Sequence, residues 1–286
     1  MPVARLNGIQ VNYEVHGEGP PLVLAHGYTA SLEMWREQVP ALAAKHRLII
    51  YDTRGHGRTT APPDESAYGL AREYVADQLA LMDHLGVETA HVGGLSMGGM
   101  IAQEFALQHP ERLRSLLLLD TGPGMSAMAA DPAARERFEQ VRQTLRTLAR
   151  TQGMSAVIDM MRQSPMWSGR AATASVPDAV RRHVERMREM SVDGYLGGAS
   201  AMQTWGGTLS RLHTIAAPTL VLVGEQDHLL PASRAIADRI PNRRFVLLRD
   251  CGHGSNLWRP DAFTQAVTSF LDDVNAGRPV QGETVL

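Results

Sequence analysis

The chain holds a single cysteine, Cys251, among its 286 residues. It can form no internal disulfide, and no Cys/His cluster has the spacing of a zinc site. No run reaches the roughly 18 consecutive apolar residues of a membrane helix, and the first residues, Met1 to Arg5, lead into no apolar signal-peptide core. An excess of one charge is also missing. Lys+Arg 28 against Asp+Glu 30 gives a formal net charge of -2, without the basic footprint of a nucleic-acid or anionic-membrane binder. Lysine is nearly absent: Lys45 stands alone beside 27 arginines, which are scattered among acids rather than grouped to hold phosphate. These absences point to a soluble, cytoplasmic protein with neither nucleic acid nor membrane as partner. The remaining composition, 44% hydrophobic and 20% charged, is that of a globular chain. Its length suits one large domain, or a core domain with a modest insert, burying roughly three quarters of the unfolded surface.

Short apolar runs alternate with helical spacing at both ends of the chain. Strands are predicted at Val11–Val15, Leu22–Ala25, Leu48–Tyr51, Ala90–Gly93, Leu113–Leu119, Thr219–Val223 and Phe245–Leu248. Helices are predicted at Glu33–Ala44, Arg72–Leu85, Met97–Gln108, Ser233–Arg239 and Asp261–Val274. Fully apolar strands between amphipathic helices predict an α/β fold, a mostly parallel sheet covered on both faces. Residues 123–205 break this rhythm with helical segments only, around Ala133–Arg150, Met154–Arg162, Asp178–Met190 and Gly194–Thr204. The insert holds nine of the 14 methionines, and its basic residues outnumber its acids 11 to 8. Methionine at helical spacing is ordinarily core; it also suits a helical cap whose pliable thioethers line an apolar pocket. Residues 1–122 and 206–278 then form the core, 123–205 the cap, and 279–286 a C-terminal tail, loosely ordered after Asn275.

The most specific signal is Gly94-Leu95-Ser96-Met97-Gly98, directly after one predicted strand and directly before a predicted helix. That context suits a nucleophile elbow, in which a strained turn lifts a serine hydroxyl clear of the sheet. A serine hydroxyl needs a base. Among 11 histidines, His253 in Cys251-Gly252-His253-Gly254 follows the last predicted core strand, with glycines that leave an imidazole room. Asp227, after the strand Thr219–Val223, is the candidate acid that orients that imidazole. Asp120, ending the strand Leu113–Leu119, is its rival. The backbone N–H groups of Tyr28 and Met97 are the candidate oxyanion-hole donors. His26 is expected to brace the loop, while Tyr28, Met161, Met190, Met202 and Trp205 are candidates for lining the substrate pocket. No G-x-G-x-x-G is present, and no metal or organic cofactor has a binding motif.

These segments together resemble the α/β-hydrolase superfamily over essentially the whole chain. His26-Gly27-Tyr28 is similar to its oxyanion loop, and Asp52-Thr53-Arg54-Gly55-His56-Gly57-Arg58-Thr59 to its D-x-R-G-x-G-x-S segment. Gly94 to Gly99 resembles the nucleophile elbow; Gly224-Glu225-Gln226-Asp227 and Cys251-Gly252-His253 resemble the acid and base motifs. The order Ser96, Asp227, His253 is also that of the superfamily. Within it the chain is similar to carboxylesterases, enol-lactonases and cofactor-free haloperoxidase-like esterases. The resemblance implies a serine hydrolase acting on carboxylic esters or lactones without metal or cofactor. Thr59 stands where serine is usual, and Trp258 where an acid often stands. Leu95 is not the asparagine common in carbon–carbon bond hydrolases, and Ser96 excludes an aspartate nucleophile. A carbon–carbon bond hydrolase, an enol-lactonase and a ligand receptor on the same fold remain the alternatives. A homo-oligomer is compatible with this reading.

Overall fold

The computed structural model describes residues 2–124, 132–163 and 176–286, without the side chains of residues 132–135 and 138. Met125, Met128, Pro165, Met166 and Trp167 of the insert lie outside the described residues. Among the described residues, nine strands form one sheet: β1 Val3–Leu6, β2 Ile9–His16, β3 Pro21–Ala25, β4 Arg47–Tyr51, β5 Ala90–Leu95, β6 Leu113–Leu119, β7 Thr219–Gly224, β8 Arg243–Leu248 and β9 Gly282–Val285. Their spatial order is β1-β2-β4-β3-β5-β6-β7-β8-β9. β2 pairs antiparallel with β1 and β4, and every other neighbouring pair is parallel.

The apolar strands are continuous because both of their faces are covered. Val23, Ile49, Leu116, Leu118, Val221 and Val223 point into one buried cluster with Ile101 and Phe105 of α3, Met97–Gln108. Leu22, Leu24, Leu48, Ile50, Leu117, Leu119, Leu220 and Leu222 point into the other, with Trp35, Phe263 and Phe270. Successive residues thus feed opposite cores, as the pleat requires. α1 is Val39–Ala43 and α2 is Val75–His84, entered through a π turn at Leu70–Tyr74. After α3, the insert contributes α4 Pro132–Arg162, interrupted at Gly153, then α5 Asp178–Met187 and α6 Val192–Thr204. The C-terminal part adds α7 Leu230–Ala237, α8 Ser255–Trp258 and α9 Pro260–Asn275.

Three differences from the sequence expectation have physical causes. The helix expected over Glu33–Ala44 is a 3-10 turn, Leu32–Trp35, followed by α1. Pro40 has no N–H to return to the Arg36 carbonyl, so the helix restarts beside it. β1 is an additional strand, joined to β2 by Asn7 and Gly8, both at positive φ (48° and 78°), the backbone of a two-residue hairpin turn. The tail after Asn275 is not loose: Val280 is buried and β9 pairs in register with β8 from Arg244↔Gly282 to Leu247↔Val285. All four β9 residues are exposed, so backbone pairing holds the strand and no apolar alternation announces it.

The helices of the insert build a third cluster from Ala149, Met154, Val157, Ile158, Val184, Met187, Met190, Tyr195 and Leu196. The segment meets the core through arginine–glutamate pairs: Arg146 and Arg150 with Glu65, Arg182 with Glu37, and Arg186 with Glu33. Where α6 crosses the core, a Cβ on Gly194 would meet the Gly55 carbonyl, and one on Gly198 would lie 2.8 Å from the Tyr28 ring. Among the described residues, no helix is long and apolar enough to cross a membrane.

Candidate active site

The loops after β3, β5, β6, β7 and β8 all leave the same edge of the sheet, because those five strands run parallel. Open α/β sheets gather their reactive groups at this edge. Ser96 links β5 to α3 at φ 56° and ψ -115°, a conformation that costs an L-residue energy and persists only where its surroundings enforce it. Glycine is required on both sides. A Cβ on Gly94 would sit 2.3 Å from the Gly98 backbone, and a Cβ on Gly98 would sit 2.2 Å from the Ala25 carbonyl oxygen. The Ser96 N–H donates to the Leu119 carbonyl (2.9 Å) and the Thr121 hydroxyl donates to the Ser96 carbonyl (2.7 Å). Met97 opens α3, so its N–H has no intrahelical acceptor and faces outward from the helix start.

The loop after β3 packs against this turn: a Cβ on Gly27 would lie 3.5 Å from Ser96 Cβ. His26 is fully buried; its Nε2 accepts the Thr53 N–H (3.0 Å), which leaves Nδ1 to donate to the Gly27 carbonyl (2.8 Å). Burial lowers its pKa to about 4, so it is a neutral brace of the kind expected. Thr29 takes φ 63°, and its hydroxyl donates to the Tyr28 carbonyl (2.6 Å). The Tyr28 ring stacks on Tyr195 of α6 at 5.3 Å, and its hydroxyl donates to the Tyr195 carbonyl (2.5 Å). The side chain of Tyr28 therefore ties the loop to the insert.

Asp227 and His253 are brought into direct contact, with His253 Nδ1 2.9 Å from Asp227 Oδ2. Burial pushes the Asp227 pKa up. The His253 charge and hydrogen bonds from His228, His253 and the Leu229 N–H (2.8 Å) outweigh that and hold it below the ordinary carboxylate value. Desolvation pulls His253 down, but the Asp227 charge and hydrogen bond, with Asp120 behind, raise it to about 9. His228 Nδ1 lies 3.2 Å from the other Asp227 oxygen. Asp227, His228 and His253 are the one group of three metal-capable side chains among the described residues, with ligand atoms within 4.8 Å. Asp120, the rival acid, makes its hydrogen bonds with two backbone N–H groups, of Gly224 and Ser255, and none with His253.

The expected pocket residues divide. Met190 is buried in the insert's own cluster and Met161 packs against it. Trp205 is buried in the core cluster, its indole N–H donating to Glu104 (2.8 Å), and Met202 packs against that cluster. A different insert residue, His183 of α5, sits near both candidate loops. Desolvation and then the charges of His253 and Arg186 lower its pKa to about 4, and His26 feels it in turn. It lines a cavity of about 40 Å³ with Met34 and Leu257. Its sequence position, inside an insert helix far from any strand end, carries no sign of this placement.

Comparison with known proteins gives one family. The profile described as alpha/beta hydrolase fold matches residues 20–260. A candidate carbamate hydrolase, RutD, from Azorhizobium caulinodans is 29% identical, over 96% of this chain and 100% of that protein. Among solved structures, the enol-lactonase from Burkholderia xenovorans LB400 is 30% identical, with TM-score 0.81 over 95% of this chain and 100% of that one. A thermophilic esterase from Thermogutta terrifontis is 26% identical, with TM-score 0.81 over 96% and 99%.

Proposed function

The chain belongs to the α/β-hydrolase fold family, and on that footing we propose that it is a serine hydrolase cleaving carboxylic esters or lactones through an acyl-enzyme. The observation that carries the reading is a serine in the strained turn at φ 56° on the sheet edge that also bears a His253–Asp227 contact of 2.9 Å. With Nδ1–H donated to Asp227, the His253 Nε2 is the free, basic nitrogen. It takes the Ser96 proton as Oγ attacks the carbonyl carbon, and the N–H groups of Tyr28 and Met97 receive the negative charge that forms on oxygen. His253 then gives the proton to the departing alcohol. Water, deprotonated by the same imidazole, attacks the acyl carbonyl, and that proton passes from His253 to Ser96 Oγ as the carboxylic acid leaves. The scheme needs no metal or cofactor.

The similar proteins carry names for ester, enol-lactone and carbamate cleavage. All three begin with attack on an acyl carbonyl, so one site serves each chemically. Leu95 before the serine speaks against carbon–carbon bond cleavage, and turnover itself would exclude a ligand receptor. The test is hydrolysis of a short-chain aryl ester, with esters of graded acyl length, lactones and carbamates alongside. Ser96→Ala should lower kcat by about 10⁶-fold, and a phosphonate should label Ser96 alone in the native enzyme. A variant keeping a tenth of native turnover would end the assignment.

A further inference from the structure

The end of β6 touches each loop that carries a candidate catalytic group. Leu119 and Thr121 hold Ser96 from its N–H and its carbonyl, at 2.9 and 2.7 Å. Between them, Asp120 reaches the other two loops. Its Oδ1 accepts the N–H of Gly224 (3.2 Å), where the loop to Asp227 begins. Its Oδ2 accepts the N–H of Ser255 (2.7 Å), two residues beyond His253. Asp120 is fully buried and takes φ 44°, so its surroundings fix its direction. Both oxygens face N–H donors, which favour the ionised carboxylate.

We propose that Asp120 is a positioning residue whose carboxylate clamps the acid loop to the base loop and sets a second negative charge behind the Asp227–His253 pair. The proposal rests on the serine-hydrolase reading. Two features separate this role from plain structural support. The clamp spans two loops that bear different members of the reacting set, so its loss should misplace them against each other. Its charge also reaches His253 and favours the protonated imidazole. The charged and titratable groups around this arrangement are Asp227 and His253 themselves, His228 on the other Asp227 oxygen, and His183 from α5. Burial, followed by the Asp227 charge, raises the pKa of Asp120 to about 7, so its negative charge is present in the higher pH range where His253, at about 9, titrates.

The experiment measures kcat and KM for an aryl ester from pH 5 to 10, with melting temperatures, for the native enzyme and for Ser96→Ala, Asp120→Asn and Thr121→Val. Asparagine keeps the shape, offers one acceptor oxygen instead of two, and removes the charge. Asp120→Asn should lower kcat by about 10- to 100-fold with KM little changed, the loss expected of small misplacement. Its acid limb of kcat/KM should move to lower pH by about half a unit to one unit, because His253 loses a favourable charge. Thr121→Val should lower kcat less and leave the limb in place, since it removes a hydrogen bond and no charge. Asp120→Ser carries the same test if Asp120→Asn does not fold. Turnover surviving in Ser96→Ala overturns the serine reading and this proposal with it. With Ser96→Ala inactive, an Asp120→Asn variant of native kcat, or one that loses kcat with the limb unmoved, overturns the proposal alone.

Discussion

The core and the helical insert are held together by different physics. In the core, the candidate reactive groups hang on short hydrogen bonds from buried partners: Leu119 and Thr121 on Ser96, Thr53 on His26, Asp120 on Gly224 and Ser255. Each such bond is expensive to leave unmade in a dry interior. The insert has an apolar cluster of its own; beyond the Tyr28–Tyr195 stack and the buried Trp205, it meets the core through arginines on glutamates, such as Arg150 on Glu65, 55% and 29% exposed. Exposed pairs of that kind contribute about 0 to 1 kcal/mol each and weaken with salt. The difference teaches where precision is kept. The candidate reactive groups are held by buried core hydrogen bonds, while the insert is held to them at one tight seam along α6 and elsewhere by weaker exposed pairs.

The sharpest way to break this comparison is at Asp227. Asp227→Asn should lower kcat by about 10⁴-fold through loss of imidazole orientation, with the melting temperature moving far less than the rate. Steady-state kinetics beside thermal unfolding checks it. A comparable rate loss from any single insert substitution would erase the distinction. The pH profile comes next. The His253 pKa lies above the ordinary 6.5, and only the neutral ring accepts the Ser96 proton. kcat/KM should therefore fall as pH drops below an apparent pKa higher than 6.5, and substitutions in the insert should leave that midpoint where it is.

Replacing Met161, Met190, Met202 and Trp205 singly with alanine should act on the other side. Changes in KM and in acyl-length preference of about tenfold or less are expected, because a wall contacting ground state and transition state alike alters binding more than chemistry. Unchanged preference with lowered stability would assign all four to packing. The smallest effect is expected at Glu65, which holds both Arg146 and Arg150. Glu65→Gln should raise KM about twofold at low salt and cost about 1 kcal/mol or less of stability. Both differences should shrink as ionic strength rises.

How much of this was legible beforehand follows from the range of each interaction. Met97–Gln108 and Leu113–Leu119 have the same limits in the structure as in the sequence, since local periodicity specifies them. Ser96 was legible for the same reason: a strained turn needs glycines at adjacent positions. Asp120 stood out in sequence only as a second acid at a strand end. Its partners, 104 and 135 residues away, are backbone N–H groups that any residue could supply, so no motif records them. The partner of Trp205 is likewise not legible, because nothing nearby in sequence marks Glu104, 101 positions earlier. β9 is not legible in the sequence because its ladder with β8 is backbone pairing that no side-chain pattern marks.

The close approach of α6 to the oxyanion loop bears on how this protein could diversify. A methyl group at Gly198 would press on the Tyr28 ring, and one at Gly197 would lie 2.4 Å from the ring of Tyr68. Tyr28 supplies the loop's contact with the insert and, one atom along its backbone, a candidate oxyanion donor. A library that randomises α6 to change substrate range would therefore perturb turnover at these glycines before it altered selectivity. Along this seam, unlike at the exposed ion pairs, a substitution in the insert should be read out as reaction rate.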